Sequence, residues 1–98
     1  LLALAQTLAM EVGPLGVRVN TLVIGTVNGE LVQAWASRTA GERGVPVDEV
    51  LASLSGSAAL GRLVEPREVA DVSLWLASDA ASSITGQDIN VSAGAEKR

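Results

Sequence analysis

The sequence predicts an α/β fold built on a parallel sheet, and three observations carry that expectation. Val17-Arg18-Val19-Asn20-Thr21-Leu22-Val23-Ile24 is rich in β-branched residues and passes from alternating to continuously apolar, as a strand covered on both faces does. Asp88-Ile89-Asn90-Val91 alternates like a second, shorter strand. Between them lie helix-patterned segments, so the order helix, strand, helices, strand supplies one strand-crossover-strand unit, which almost always returns right-handed to a parallel neighbour.

Taken in order, Leu1, Leu4, Ala5, Leu8 and Val12 share one helical face, and Gly13-Pro14 is a stop signal, so a helix is expected over residues 1–12. The chain opens on this apolar run with no initiator Met and no cap, which reads as an entry partway through an element. Gly25-Thr26-Val27-Asn28-Gly29 ends the first strand at its C-terminal edge, where ligands collect in open α/β sheets. Leu31, Val32, Trp35 and Ala36 pair at helical spacing in a short helix, Gly41-Glu42-Arg43-Gly44 reads as a loop, and Pro46 with Asp48 and Glu49 opens another short helix. A stronger helix starts at Glu65-Pro66, carries the stripe Val69, Val72 and Leu76, and runs to about Ser78. A turn-rich connector over 79–87 leads to the second strand, and the tail Gly94-Ala95-Glu96-Lys97-Arg98 is expected to fray.

Composition excludes several functions. A chain of 98 residues holds at most one small domain, with a shallow core. A net charge of -4 argues against a nucleic-acid or anionic-membrane partner, since both need clustered Lys and Arg. With no Cys and no His, a disulfide framework, a thiolate nucleophile and a zinc site are not expected. No charged leader or apolar run of membrane-spanning length is visible, so a soluble, cytoplasmic protein is the expectation.

Three stretches, in order and at their spacing, resemble the second half of the short-chain dehydrogenase/reductase family. They are the helix-turn-strand passage from Glu11 to Asn20, the helix-opening motif Gly61-Arg62-Leu63-Val64-Glu65-Pro66-Arg67-Glu68-Val69-Ala70, and Leu76 to Gln87, which leads into the last strand. Alone, each is ordinary capping or initiation. The resemblance covers nearly all of residues 1–98 and implies a single partial domain, the C-terminal part of a doubly wound, Rossmann-type sheet, with a variable lid over about 29–60.

The resemblance further implies an oxidoreductase using NAD or NADP on a small-molecule substrate. Its glycine-rich pyrophosphate turn and its Ser, Tyr and Lys proton-transfer set would lie upstream. Consistent with that, the chain has no Tyr and no His, its only Lys is Lys97, and no catalytic residue is assigned. Its serines read as capping or solvated groups, and Glu65, Glu68 and Asp71 as helix-opening carboxylates.

The cofactor-binding candidates are Ile24, Gly25, Val27 and Gly29, where the family has Pro-Gly, any residue, a β-branched residue, any residue, then Thr. Gly25 marks close approach of backbone to cofactor, and the main chain of Val27 corresponds to the group that hydrogen-bonds the nicotinamide carboxamide. A plain strand-ending turn is the alternative for Gly25. The departures from the family pattern are Ile24 for Pro, Gly29 for Thr, and Ser92 and Ala93 for Asp and Gly. Leu31 and Trp35 are the candidate substrate-lid residues, core packing being equally open for Trp35.

A homo-oligomer, dimer or tetramer, is implied through residues 1–12, 66–78 and 88–91. The alternatives are a non-catalytic oligomerisation module from a degenerate relative, and an unrelated small α/β domain, which a structure lacking two adjacent parallel strands would favour. With one edge of the first strand and both its apolar faces open, the isolated chain is expected to associate, aggregate or lose order.

Overall fold

The computed structural model describes residues 2–95; Leu1 and the tail residues Glu96, Lys97 and Arg98, and so the expected fraying there, lie outside it. Helix α1 spans Leu2–Val12 and passes through a 3-10 turn, Gly13–Leu15, that ends on Gly16 at φ +77°. That left-handed conformation, which glycine adopts without steric cost, turns the chain towards the sheet. Strand β1 is Thr21–Ile24, helices α2 and α3 are Glu30–Arg43 and Val47–Ser55, α4 is Pro66–Ala77, and β2 is Asp88–Val91.

β1 and β2 are adjacent and parallel, with Thr21 opposite Asp88 and Ile24 opposite Val91. The expected strand-crossover-strand unit is therefore present, and the unrelated-domain alternative loses its ground. A further parallel bridge joins Val27 to Val64 just beyond the strand ends.

Two boundaries differ from expectation. β1 starts at Thr21 rather than Val17, because the connector in front of β2 occupies the preceding residues: Val19 N donates to Thr85 Oγ1 at 3.0 Å, and the Asn20 amide donates to Ile84 O at 3.0 Å while accepting from Gln87 N at 3.1 Å. Among residues 17–20 only Val19 bonds the connector through its main chain, its O also accepting from Gly86 N at 2.8 Å, while Val17 N is held by Val12 O at 3.3 Å, so regular pairing begins at Thr21. Helix α2 runs through Gly41 to Arg43, because the left-handed glycine that ends it is Gly44, at φ +68°.

The best-buried apolar side chains lie between α2 and α3. Ala36, Ala40 and Val50 are 0–3% exposed, and Val45, Val47 and Leu51 pack around them. The sheet is more open: Leu22, Val23, Ile89 and Val91 are only half-buried and Ile24 is 45% exposed, so the expected cover on both faces of β1 is not found among the described residues. The radius of gyration of 17.1 Å exceeds the roughly 13 Å of a compact domain of this length. The molecule is elongated, 57 × 24 × 22 Å, with Leu4 and Met10 of α1 and Leu74 and Trp75 of α4 exposed. No described helix is long and apolar enough to cross a membrane.

Candidate functional site

The loop at the C-terminal end of β1 is held from two sides. On one, Gly25 N donates to Val91 O at 3.0 Å, prolonging the β1–β2 ladder by a residue. A Cβ at Gly25 would lie 2.9 Å from both Cα and Cβ of the buried Ser92, so the crossing of these two strand ends requires glycine. The sequence pattern attributes this glycine to close approach of a ligand; the chain's own backbone is already a sufficient reason.

On the other side, Val64 N donates to Thr26 O at 3.0 Å and Val64 O accepts from Asn28 N at 2.7 Å. Val64, 2% exposed, thereby commits both its main-chain groups to the neighbours of Val27. In a parallel bridge, the N–H and C=O of the bracketed residue point to the opposite side. The Val27 carbonyl accepts from Gly29 N at 2.9 Å, closing a tight turn, while among the described residues the Val27 N–H has no backbone acceptor. Gly29 is the N-cap of α2, extended at φ -125°, and a Cβ there would meet nothing within 4 Å.

The segment 61–68 buttresses the loop. Arg62 engages Glu68 through two parallel bonds, 2.7 Å to Oε1 and 2.8 Å to Oε2, and Glu68 Oε1 also accepts from Glu65 N at 2.8 Å as half of a capping box at the start of α4. The Arg62 guanidinium, with help from the Glu65 N–H, holds the Glu68 carboxyl down at about 2 from an ordinary 4.5, and the same pairing raises Arg62. Asn28 links this segment to α2: its Nδ2 donates to Glu65 Oε2 at 3.0 Å and its Oδ1 accepts from Gln33 Nε2 at 2.6 Å. Because a carboxylate only accepts, the bond to Glu65 fixes which end of the Asn28 amide faces Gln33. Asn28, Gln33, Asp48, Arg62 and Glu65, with the apolar Leu51 and Leu63, line a cleft of about 330 Å³.

Ile24 is the last residue of β1, and Gly25, Val27 and Gly29 lie in the loop that follows it at the C-terminal edge of the sheet. Leu31 and Trp35, on α2, are 88% and 40% exposed, and Trp35 is not among the side chains of the α2–α3 core. Sequence reasoning missed Asn28, Gln33 and the Arg62–Glu68 pair. Asn28 and Glu65 are far apart in the chain, and the Arg62–Glu68 spacing crosses a helix start and follows no helical-face rule. Among the described residues no cluster of His, Cys, Asp and Glu could hold a metal ion.

Ser92 and Ala93 also acquire a physical reading. Ala93 sits at φ +55°, left-handed backbone that favours the glycine more common at this position in the family pattern. The turn it makes is pinned by Leu60 N to Ala93 O at 2.9 Å and Ala59 N to Gly94 O at 3.2 Å.

The family model described as enoyl-(acyl carrier protein) reductase matches residues 1–96. Among curated proteins, the chain is 41% identical over 91 residues to a short-chain dehydrogenase/reductase of Armillaria gallica, covering 93% of this chain and 33% of that one. It is 37% identical over 93 residues to an acetoacetyl-CoA reductase of Rhizobium meliloti, covering 95% and 34% respectively. The structure superposes with a TM-score of 0.90 and 26% identity on L-sorbose reductase from Gluconobacter frateurii in complex with NADPH and L-sorbose, covering 99% of this chain and 37% of that one. The chain belongs to the short-chain dehydrogenase/reductase family and spans about a third of the length of the curated relatives it matches.

Proposed function

We propose that residues 1–98 form the C-terminal part of the catalytic domain of an NAD- or NADP-dependent oxidoreductase acting on a small molecule, supplying the nicotinamide-side loop, the substrate lid over about 29–60 and an oligomer interface. The observation that carries this reading is the Val27 N–H, directed away from its bridge partner at the C-terminal edge of a parallel sheet. A nicotinamide ring, when bound, supplies hydride transfer. In this reading the Val27 main chain binds the carboxamide and orients the ring, Gly25 lets the strand ends cross closely enough to set that main chain, and the turn through Gly29 starts the lid.

Leu31 and Trp35 offer apolar surface that a closing lid can turn towards a substrate, in keeping with their exposure. No Tyr or His is present in the chain, so proton transfer falls to groups elsewhere in the parent protein.

The test is cofactor affinity in the protein that carries this chain. Val27→Pro removes the N–H and should weaken NADH or NADPH binding at least about tenfold, as loss of one hydrogen bond in a desolvated site does. Val27→Ala keeps the N–H and should bind within about twofold of the parent. Equal affinity in all three proteins would sink the proposal.

A second reading, a non-catalytic interaction module, draws on exposed Leu4 and Met10 in residues 1–12 and Leu74 and Trp75 in 66–78, which with 88–91 would form a dimer or tetramer interface. Light scattering decides it: a monomer at all concentrations rules out the module, and an oligomer that also binds a dinucleotide favours the enzyme.

A further inference from the structure

The loop that carries Val27 lacks two aids to rigidity that the family pattern provides, since Ile24 and Gly29 stand where Pro and Thr would be. Its order must come from other contacts, and these converge on residue 28. Asn28 N donates to Val64 O at 2.7 Å, its Nδ2 donates to Glu65 Oε2 at 3.0 Å, and its Oδ1 accepts from Gln33 Nε2 at 2.6 Å. One half-buried side chain thus ties the loop both to the N-cap of α4 and to the first turn of α2.

We infer that Asn28 is a positioning residue, a latch that fixes the Val27–Asn28 peptide and couples the orientation of that main chain to the seating of α2, the first lid helix. The use of this latch in cofactor binding rests on the reading proposed above; the latch itself does not. The geometry demands an amide: a group that donates towards a carboxylate and accepts from Gln33 at the same time. Aspartate is nearly the same size but cannot donate when ionised, and it would place a second negative charge against Glu65. An aspartate opposite a glutamine would restore one donor and one acceptor with the roles exchanged.

This exchange supplies a test in the protein that carries the chain. Hydrogen-exchange protection at the Asn28 and Gly29 amides, measured without cofactor, reports the latch; NADH and NADPH affinities report its consequence. Asn28→Asp should lower protection at both amides about tenfold and weaken cofactor binding by a similar factor, the scale of one charge-assisted hydrogen bond. Glu65→Gln alone keeps an acceptor for Asn28 and should change either quantity by no more than about twofold. Asn28→Asp combined with Glu65→Gln should return both to within about twofold of the parent. Unchanged protection in Asn28→Asp, or a double variant no better than that single one, overturns the latch. Lost protection with unchanged cofactor affinity overturns the positioning role. Failure of the cofactor-loop reading is seen separately, as Val27→Pro leaving affinity unchanged while the Asn28 variants still alter exchange.

Discussion

Helices α2 and α3 bury Ala36, Ala40 and Val50 to 3% exposure or less, whereas the β1–β2 sheet leaves Leu22, Val23, Ile89 and Val91 half-buried and Ile24 45% exposed. The helical pair closes on itself because small residues on α2 let α3 approach and left-handed Gly44 makes a tight connection. The sheet has no comparable partner: clefts of about 430 and 400 Å³ open between it and α4, beside Leu22 and beside Asn90 and Val91. Packing between sequence neighbours is thus tighter than packing around the sheet, whose strands are brought together from distant parts of the chain. The α2–α3 pair is well packed, while the sheet beside the candidate site depends on a few backbone bonds and on cover for its apolar faces.

Substitution at the strand crossing should be the most damaging. Gly25→Val forces a branched side chain into space where even a Cβ lies 2.9 Å from Ser92 and should cost about 3 kcal/mol in denaturant unfolding. Gly29→Thr, in the same loop but with nothing within 4 Å of the new Cβ, should be stability-neutral within about 0.5 kcal/mol. Next in size is Val50→Ala, which empties part of the α2–α3 core and should cost about 2 kcal/mol. Its exchange signature should be confined to α2 and α3; equal loss of protection in β1 would show that the two regions are one cooperative unit. Ala93→Gly relieves left-handed backbone at φ +55° and should stabilise by about 0.5 kcal/mol, measured as a raised thermal midpoint.

The smallest effect is electrostatic. Glu68 is held at about 2 against an ordinary 4.5, so its pairing with Arg62 favours the folded state above the ordinary value and loses that contribution as pH falls towards about 2. Both side chains are solvent-accessible, which keeps the effect modest. Acid titration of stability in the parent and in Glu68→Gln should show a steeper loss in the parent; parallel curves would remove the pairing from the stability of this region.

The elements and the location of the candidate loop were legible in the sequence. A β-branched run marked the first strand and alternating Ile89 and Val91 the second, Pro66 marked the start of α4, and Gly25 marked the strand end. What was not legible came from contacts between distant segments. Val17 to Asn20 have the composition of a strand, yet Val17 N is held by Val12 O, Val19 N by the Thr85 hydroxyl, and the Asn20 side chain by Ile84 O and Gln87 N. Gly41 has the look of a helix stop but sits inside α2 because Gly44 provides the left-handed end. Glu65 and Glu68 read as helix-opening carboxylates, which they are, but their bonds to Asn28 and Arg62 also make them supports of the loop. The left-handed backbone of Ala93, φ +55°, is set by the turn after β2 and leaves no mark in the residue itself.

Association follows from the same contrast. Exposed Leu4, Met10, Leu74 and Trp75 lie outside the α2–α3 core, so residues 1–98 alone should associate, and Leu74→Glu with Trp75→Ser should reduce the scattering mass. Monomeric, cooperative unfolding of the unsubstituted chain would contradict that expectation.

The most direct measurement is made at one amide. In the protein that carries this chain, titration with NADH or NADPH should shift the Val27 N–H resonance and slow its exchange, more strongly than at the amides of α3. Saturable cofactor binding that leaves the Val27 amide unmoved would contradict the assignment of this loop to the nicotinamide.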